Sequence, residues 1–237
     1  MNQTSLERIL QGQGFGSRKA CRRLIHQGLV QVDAAVVTDP SALYAAEGLA
    51  IDVEGERWVT RSKVYVALHK PSAYECSRQS SHHDSVFALL PAYSAARGVQ
   101  PAGRLDQDAT GLLLLSDDGP FIHQVTSPKR HVEKTYVVTC ESPVTDALVA
   151  TLLQGVQPRA EPTPLAALRC SIVDERRLEL VIAQGKYHQV KRMMAAAENR
   201  CVSLHRPALG TLTLAGLGLE EPGSWRLLSE DEAAALR

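Results

Sequence analysis

Aromatic residues are scarce, with Phe, Trp and Tyr together making up 5% of the 237 residues. Clefts that grip sugars stack them on several rings, so the shortage counts against a carbohydrate-processing enzyme. The five cysteines (Cys21, Cys76, Cys140, Cys170 and Cys201) are odd in number, widely spaced and form no C-x-x-C pair. That argues against a disulfide framework and a structural zinc site, and it fits a reducing cytosol. No apolar run approaches the roughly 18–20 residues that span a bilayer. Residues 1–8 contain no apolar core of a secretory signal. A cytoplasmic chain without membrane contact is expected. Net charge is missing too, since 26 basic residues balance 26 acidic ones. What is present is ordinary globular material, 44% hydrophobic and 22% charged, so a wholly disordered chain is excluded. The length suits one large domain, or a medium domain with a small module.

The charge is unevenly spread. Up to residue 30 the bases are Arg8, Arg18, Lys19, Arg22 and Arg23, against Glu7 alone. From 184 to 206 they are Lys186, Lys191, Arg192, Arg200 and Arg206, against Glu198. Acids gather late, at Glu220, Glu221, Glu230, Asp231 and Glu232. The two basic stretches can form a phosphate-facing surface. They can equally be solvated helix faces, and charge alone does not choose.

Leu6, Ile9 and Leu10 repeat at helical spacing before Gly12-Gln13-Gly14-Phe15-Gly16 breaks the pattern. Ser17 then caps a second helix, with Ala20, Leu24 and Ile25 on one face and the four bases Arg18, Lys19, Arg22 and Arg23 largely on the other. Gly28 stops it, and residues 29–37 read as a hairpin. Two helices and a hairpin make a small module, followed by a polar connector at 54–62, so residues 1–60 form module and connector. Residues 63–237 read as one mixed domain. Strands are expected at 64–68, 99–104, 112–116, 134–139, 168–173, 178–182, 201–205 and 211–214. Helices are expected at 85–90, 120–126, 144–154, 188–197 and 230–236, the last with a capping box from Ser229 to Glu232. Many strands with short connections predict an α+β class and a mainly antiparallel sheet.

Gly12-x-Gly14-x-Gly16 follows no strand, which argues against a dinucleotide loop. His82-His83-Asp84 lacks a second liganding cluster and reads better as a helix entrance than a metal site. The informative stretch is Gly103-Arg104-Leu105-Asp106-Gln107-Asp108-Ala109-Thr110-Gly111, followed by the apolar Leu112–Leu115 run. It is a polar loop anchored to the most apolar strand, a place where catalytic groups are held firmly. From spacing alone, Asp106 is also explained as a turn residue paired with Arg104. A hydrolase that pairs Asp106 with Asp108 or Asp117 is a further reading.

This loop resembles the catalytic signature of bacterial RNA pseudouridine synthases. Lys134-Thr135-Tyr136 resembles that family's second motif, and the segment from Gln184 to Met193, with Tyr187-His188-Gln189-Val190-Lys191-Arg192 at its centre, resembles its third. Residues 16–28 resemble an S4 RNA-binding module. The resemblance covers nearly the whole chain and is nearest the branch acting on small-subunit (16S) ribosomal RNA, at its position 516. A large-subunit synthase of the family, or a non-catalytic ribosome-assembly factor that binds ribosomal RNA, are the alternatives.

The resemblance implies an isomerisation of uridine to pseudouridine that needs no cofactor and no metal. It assigns the essential carboxylate to Asp106, as nucleophile or base. It gives Tyr136 as a ring packed on the uracil and Lys191 as the cation holding Asp106 ionised. Arg104 would engage RNA near the extruded nucleotide, with Lys186, His188 and Arg192 as further contacts. Arg18, Lys19, Arg22 and Arg23 would bind phosphates and offset the cost of base extrusion. The expected partner is ribosomal RNA, alone or in an assembling small subunit, and the expected state is a monomer.

Overall fold

A computed structural model describes residues 3–80, 82–159 and 161–236, except for the side chains of Tyr93 and Ala95. Contacts divide the chain into two compact units, Met1–Val64 with Leu90–Gln100, and Tyr65–Leu89 with Pro101–Arg237.

The first unit begins with β1 (Gln3–Ser5), α1 (Leu6–Gln13) and α2 (Arg18–His26). Gly14, at φ 93°, ends α1 in the left-handed conformation that glycine adopts without steric cost. Ser17 caps α2 as expected, its hydroxyl accepting from Ala20 N at 3.3 Å. Strands β2 (Val30–Val32), β3 (Ala35–Val36), β5 (Ala50–Val53) and β6 (Glu56–Val59) form a sheet in the order β3-β2-β5-β6. Strand β4 (Leu43–Ala45) pairs separately with β1. The expected polar connector is therefore corrected. Glu54 and Gly55 form a hairpin turn at positive φ, and the polar residues after them are an edge strand. Edge strands carry charge on their open faces, which hides them from a hydrophobic-pattern reading.

Leu6, Leu10, Cys21, Ile25, Val30 and Ile51 fill the core of this unit. Two polar centres sit beside it. Glu7, 3% exposed, accepts from Arg18 Nε at 2.7 Å and from the Arg22 guanidinium. The side-chain oxygen of Gln13 accepts from Trp58 Nε1 at 3.0 Å, Arg61 N at 3.1 Å and Arg97 Nη1 at 2.8 Å. The last contact explains why the short helix α3 (Ala92–Ala96) and its flanks belong to this unit.

The second unit is built on one large sheet. Its main strands are β7 (Tyr65–Lys70), β8 (Thr110–Ser116), β9 (Lys134–Cys140), β10 (Arg169–Ile172), β11 (Arg177–Ile182), β12 (Cys201–Leu209) and β13 (Trp225–Leu227). They lie in the order β10-β11-β9-β12-β8-β7-β13. Pairing is antiparallel except between β8 and β12. This is the mainly antiparallel α+β arrangement expected. Strand β7 is buried throughout and β8 after its first residue, so both faces there are covered. Strand β9 alternates buried and half-buried residues.

Helices α4 (Gly119–Thr126), α5 (Asp146–Gln154), α6 (Gln189–Ala196) and α7 (Glu230–Ala234) complete the unit, and α7 carries the expected capping box. Two expectations fail. The helix at 85–90 is a 3-10 turn, Val86–Leu89, because Asp84–Ser85 pairs with Tyr74–Glu75 as a short parallel ladder. The strand at 99–104 shrinks to Gln100–Pro101, since Gly103 turns the chain at φ 88°.

Hydrogen bonds from Arg18 and then Arg22 hold the Glu7 carboxyl at about 2, below its usual 4.5. The folded value is depressed, so the stabilisation is complete above the unfolded value and is lost as pH falls toward the folded one. Glu7→Gln should lower the melting temperature of the first unit at neutral pH. Calorimetry should find that gap to wild type closing as the pH drops from about 5 to about 2.

Candidate active site

The loop that carries Asp106 is fastened on its inner side. Lys70 has no exposed surface, and its ammonium donates to the carbonyls of Pro71 (2.9 Å), Gln107 (3.0 Å) and Ala109 (2.7 Å). Burial pushes its pKa below the ordinary lysine value. Those carbonyls supply the hydrogen bonds that a buried cation requires. One residue further on, the Thr110 hydroxyl lies 2.8 Å from His205 Nδ1 on the neighbouring strand β12. Burial, and secondarily the charge of His69, keep the His205 imidazole below its usual pKa.

At Gly111, φ is +116° and a β-carbon would lie 2.3 Å from the Arg206 carbonyl oxygen and 2.6 Å from its nitrogen. Only glycine allows β8 and β12 to meet there. The register Thr110↔His205 and Gly111↔Arg206 thus fixes the Asp106 loop and Arg206 to one another.

The loop displays a compact set of charges. Lys191, on α6, reaches Asp106 Oδ2 at 3.1 Å and both Asp108 oxygens at 2.7 and 2.9 Å. His188 Nε2 lies 3.2 Å from Asp106 Oδ1. His188 begins α6 at φ 47°, a left-handed conformation outside the helix. The expected helix at 188–197 is therefore shorter, Gln189–Ala196. Burial alone would raise the Asp108 carboxyl, but Lys191 outweighs it and holds it below the usual carboxylate range. Burial likewise pulls Lys191 down, and hydrogen bonds to Asp108 and Asp106 more than reverse this. A carboxyl held low beside an ammonium is a poor general acid, so Asp108 does not serve as the acid of a paired-carboxylate hydrolase.

Beside Asp106 opens a cavity of about 110 Å³, several times the roughly 10–15 Å³ one water requires. Leu105, Ile182, Val190 and Leu204 give it apolar walls. Tyr136, 6% exposed, lines it, with Arg206 Nη1 3.5 Å from the phenol oxygen. Lys134, two residues earlier on the same face of β9, donates to the carbonyls of Val132 (2.6 Å) and Ala183 (3.4 Å). Burial, then the charge of Arg206, lowers its pKa to about 8. Arg104 is exposed on the rim.

Comparison with known proteins now bears on this geometry. Residues 64–196 match the model of the RNA pseudouridylate synthase family. The chain belongs to that family. Residues 6–47 match the S4 domain. The ribosomal small subunit pseudouridine synthase A of Salmonella typhimurium is 37% identical over 235 residues, 98% of this chain and 99% of that one. Its counterpart in Pasteurella multocida is 37% identical over 220 residues, covering 92% and 93%. A crystal structure described as a pseudouridylate synthase superposes with a TM-score of 0.68 at 34% identity, covering 98% of this chain and 99% of that one.

The fold of this synthase brings Asp106, Lys191 and His188 into contact and sets Tyr136, Arg104 and Lys186 around the same cavity. Lys186 and Arg192 are both tied to Glu161, whose carboxyl their hydrogen bonds hold low. In the first unit, Arg18 and Arg22 are bound to Glu7, whereas Lys19 and Arg23 are exposed with no ion-pair partner among the described residues. Sequence reasoning missed Lys70, Glu161, the sharing of Lys191 with Asp108, and the burial of Lys134 and Arg206. The one available signal was period-2 spacing, which puts Lys134 on the face of Tyr136. Among the described residues no cluster of three or more His, Cys, Asp or Glu side chains could hold a metal, and His82-His83-Asp84 forms none.

Gly111→Ala should destabilise the second unit by about 2 kcal/mol or more, through left-handed strain added to a backbone clash. Chemical denaturation measures this, and activity at low temperature should fall with it because the Asp106 loop loses its register.

Proposed function

We propose that the protein isomerises uridine to pseudouridine in small-subunit (16S) ribosomal RNA, with Asp106 as the reacting carboxylate. The observation that carries this is Asp106 itself, an acid at the edge of a cation-lined cavity, with Lys191 at 3.1 Å and His188 at 3.2 Å. The similarity to synthases named for the ribosomal small subunit supports small-subunit RNA over a large-subunit target. The intact arrangement of Asp106, Tyr136 and Lys191 supports an active enzyme over a binding factor.

The reaction breaks the bond between N1 and C1′, turns the uracil, and joins C5 to C1′. C5 loses a proton and N1 gains one, so atoms and electrons balance without an outside reactant. Asp106 attacks C1′ or removes a sugar proton, and Lys191, ion-paired to it at 3.1 Å, aims it. Tyr136 packs on the uracil. Arg104 and His188 meet the RNA at the rim. Residues 1–60 serve as the docking module and 63–237 as the catalytic domain. On the module, Lys19 and Arg23 are the first-choice phosphate contacts, because Arg18 and Arg22 are occupied by Glu7. Lys186 and Arg192 support the third motif through Glu161 and touch RNA secondarily. The enzyme acts as a monomer in the cytoplasm.

Pseudouridine mapping of ribosomal RNA from cells with and without the gene should find one small-subunit site lost. Cells carrying Asp106→Asn should lose it equally, while the variant folds and binds RNA within a fewfold of wild type. Residual turnover above a few percent would refute the role of Asp106.

A further inference from the structure

Arg206 is a buried cation of the cavity to which the proposed reaction gives no role. It is 3% exposed and lines the cavity. Its Nε donates to the Leu112 carbonyl at 2.8 Å, and Nη1 lies 3.5 Å from the Tyr136 hydroxyl. Among the described residues, Nη2 is buried without a hydrogen-bond partner. The ion pairs around it run to Asp106, Asp108 and Glu161, and none reaches Arg206 among the described residues. A buried charged donor left unmet is costly, and in the wall of a cavity it calls for an acceptor to meet it.

Its surroundings say what. Among the residues lining the cavity the one carboxylate is Asp106, whereas Lys134 and Arg206 are both buried cations. Lys134 is pushed down to about 8, first by burial and then by the charge of Arg206 beside it. The wall suits an oxygen that carries, or comes to carry, negative charge. A phosphate stays with the RNA backbone at the rim, where Arg104 is exposed. The base is the part of a flipped nucleotide that reaches a buried guanidinium.

We propose that Arg206, through Nη2, binds a carbonyl oxygen of the target uracil and stabilises the negative charge that the ring gains when the glycosidic bond breaks. The inference rests on the pseudouridine synthase reading above. When the N1–C1′ bond breaks heterolytically, its electron pair stays on the uracil and spreads over N1, O2 and O4. C1′ is left electron-poor for the Asp106 carboxylate or for loss of a sugar proton. A fixed guanidinium beside O2 or O4 is stronger in that state than against neutral uracil, which is the condition for accelerating the step. When C5 closes on C1′, its proton leaves and N1 is reprotonated, and the charge on the ring is gone.

The test is single-turnover conversion at saturating RNA, with the target residue supplied as uridine, 2-thiouridine or 4-thiouridine. Sulfur is a weak acceptor, so it removes the contact from the substrate side. Wild type and Arg206→Gln are compared, with Arg206→Lys run in parallel in case the glutamine variant does not fold. Arg206→Gln should slow uridine conversion at least about a hundredfold with RNA affinity within about threefold. The sulfur effect at one of the two positions should differ at least about tenfold between wild type and variant, a coupling that independent groups would not show. Equal sulfur effects in both proteins overturn the proposal. So does a variant that loses affinity but keeps the saturated rate, which marks a phosphate contact. If neither variant folds, wild type indifferent to sulfur at both positions overturns it. No conversion of uridine by wild type overturns the parent reading as well, whereas conversion without coupling overturns this inference alone.

Discussion

Where Gly111 passes Arg206 there is no room for a β-carbon, and the active site depends on that closeness. Strands β8 and β12 are the parallel pair in an otherwise antiparallel sheet, and they meet over two residues. From one side of the contact runs the loop with Asp106 and Asp108. From the other projects a buried arginine. Lys70 and His205 hold the loop down by hydrogen bonds, not bulk, so its backbone is fixed while its carboxylates stay accessible. Rigid support beneath an open acid is the condition for placing it against a substrate atom.

The electrostatics follow from burial. Lys70, Lys134 and Arg206 are all removed from water, and each is met by carbonyl oxygens in place of acids. The acids are kept at the mouth, where Lys191 divides itself between Asp106 and Asp108. Neutral overall composition therefore conceals a strongly polarised cavity. In the first unit the same economy holds in reverse, since one buried Glu7 occupies two arginines that a charge count assigns to RNA.

Much of this was legible in the sequence. The Leu112–Leu115 run marked the central strand because only a doubly covered strand tolerates continuous apolar residues. The capped helices declared themselves through Ser17 and Ser229. The polar edge strand Glu56–Val59 did not, because its side chains face solvent and mimic a loop. The roles given to Asp106, Tyr136 and Lys191 come from motif resemblance, not from spacing. Arg206 and Lys70 escaped because burial of a charged side chain is decided by distant partners, here Leu112 and the carbonyls of residues 107 and 109. Asp108 escaped because its role exists only once α6 delivers Lys191 to it.

The central claim is that Lys191 acts on the reacting carboxylate and does not merely attract RNA. Single-turnover tritium release from C5-labelled uridine, at saturating RNA, separates the two. Lys191→Arg should stay within about tenfold of wild type, because charge is retained though the geometry changes. Lys191→Met should fall at least about a hundredfold with RNA affinity little altered. A methionine variant that keeps the wild-type saturated rate and only binds RNA more weakly would contradict the account.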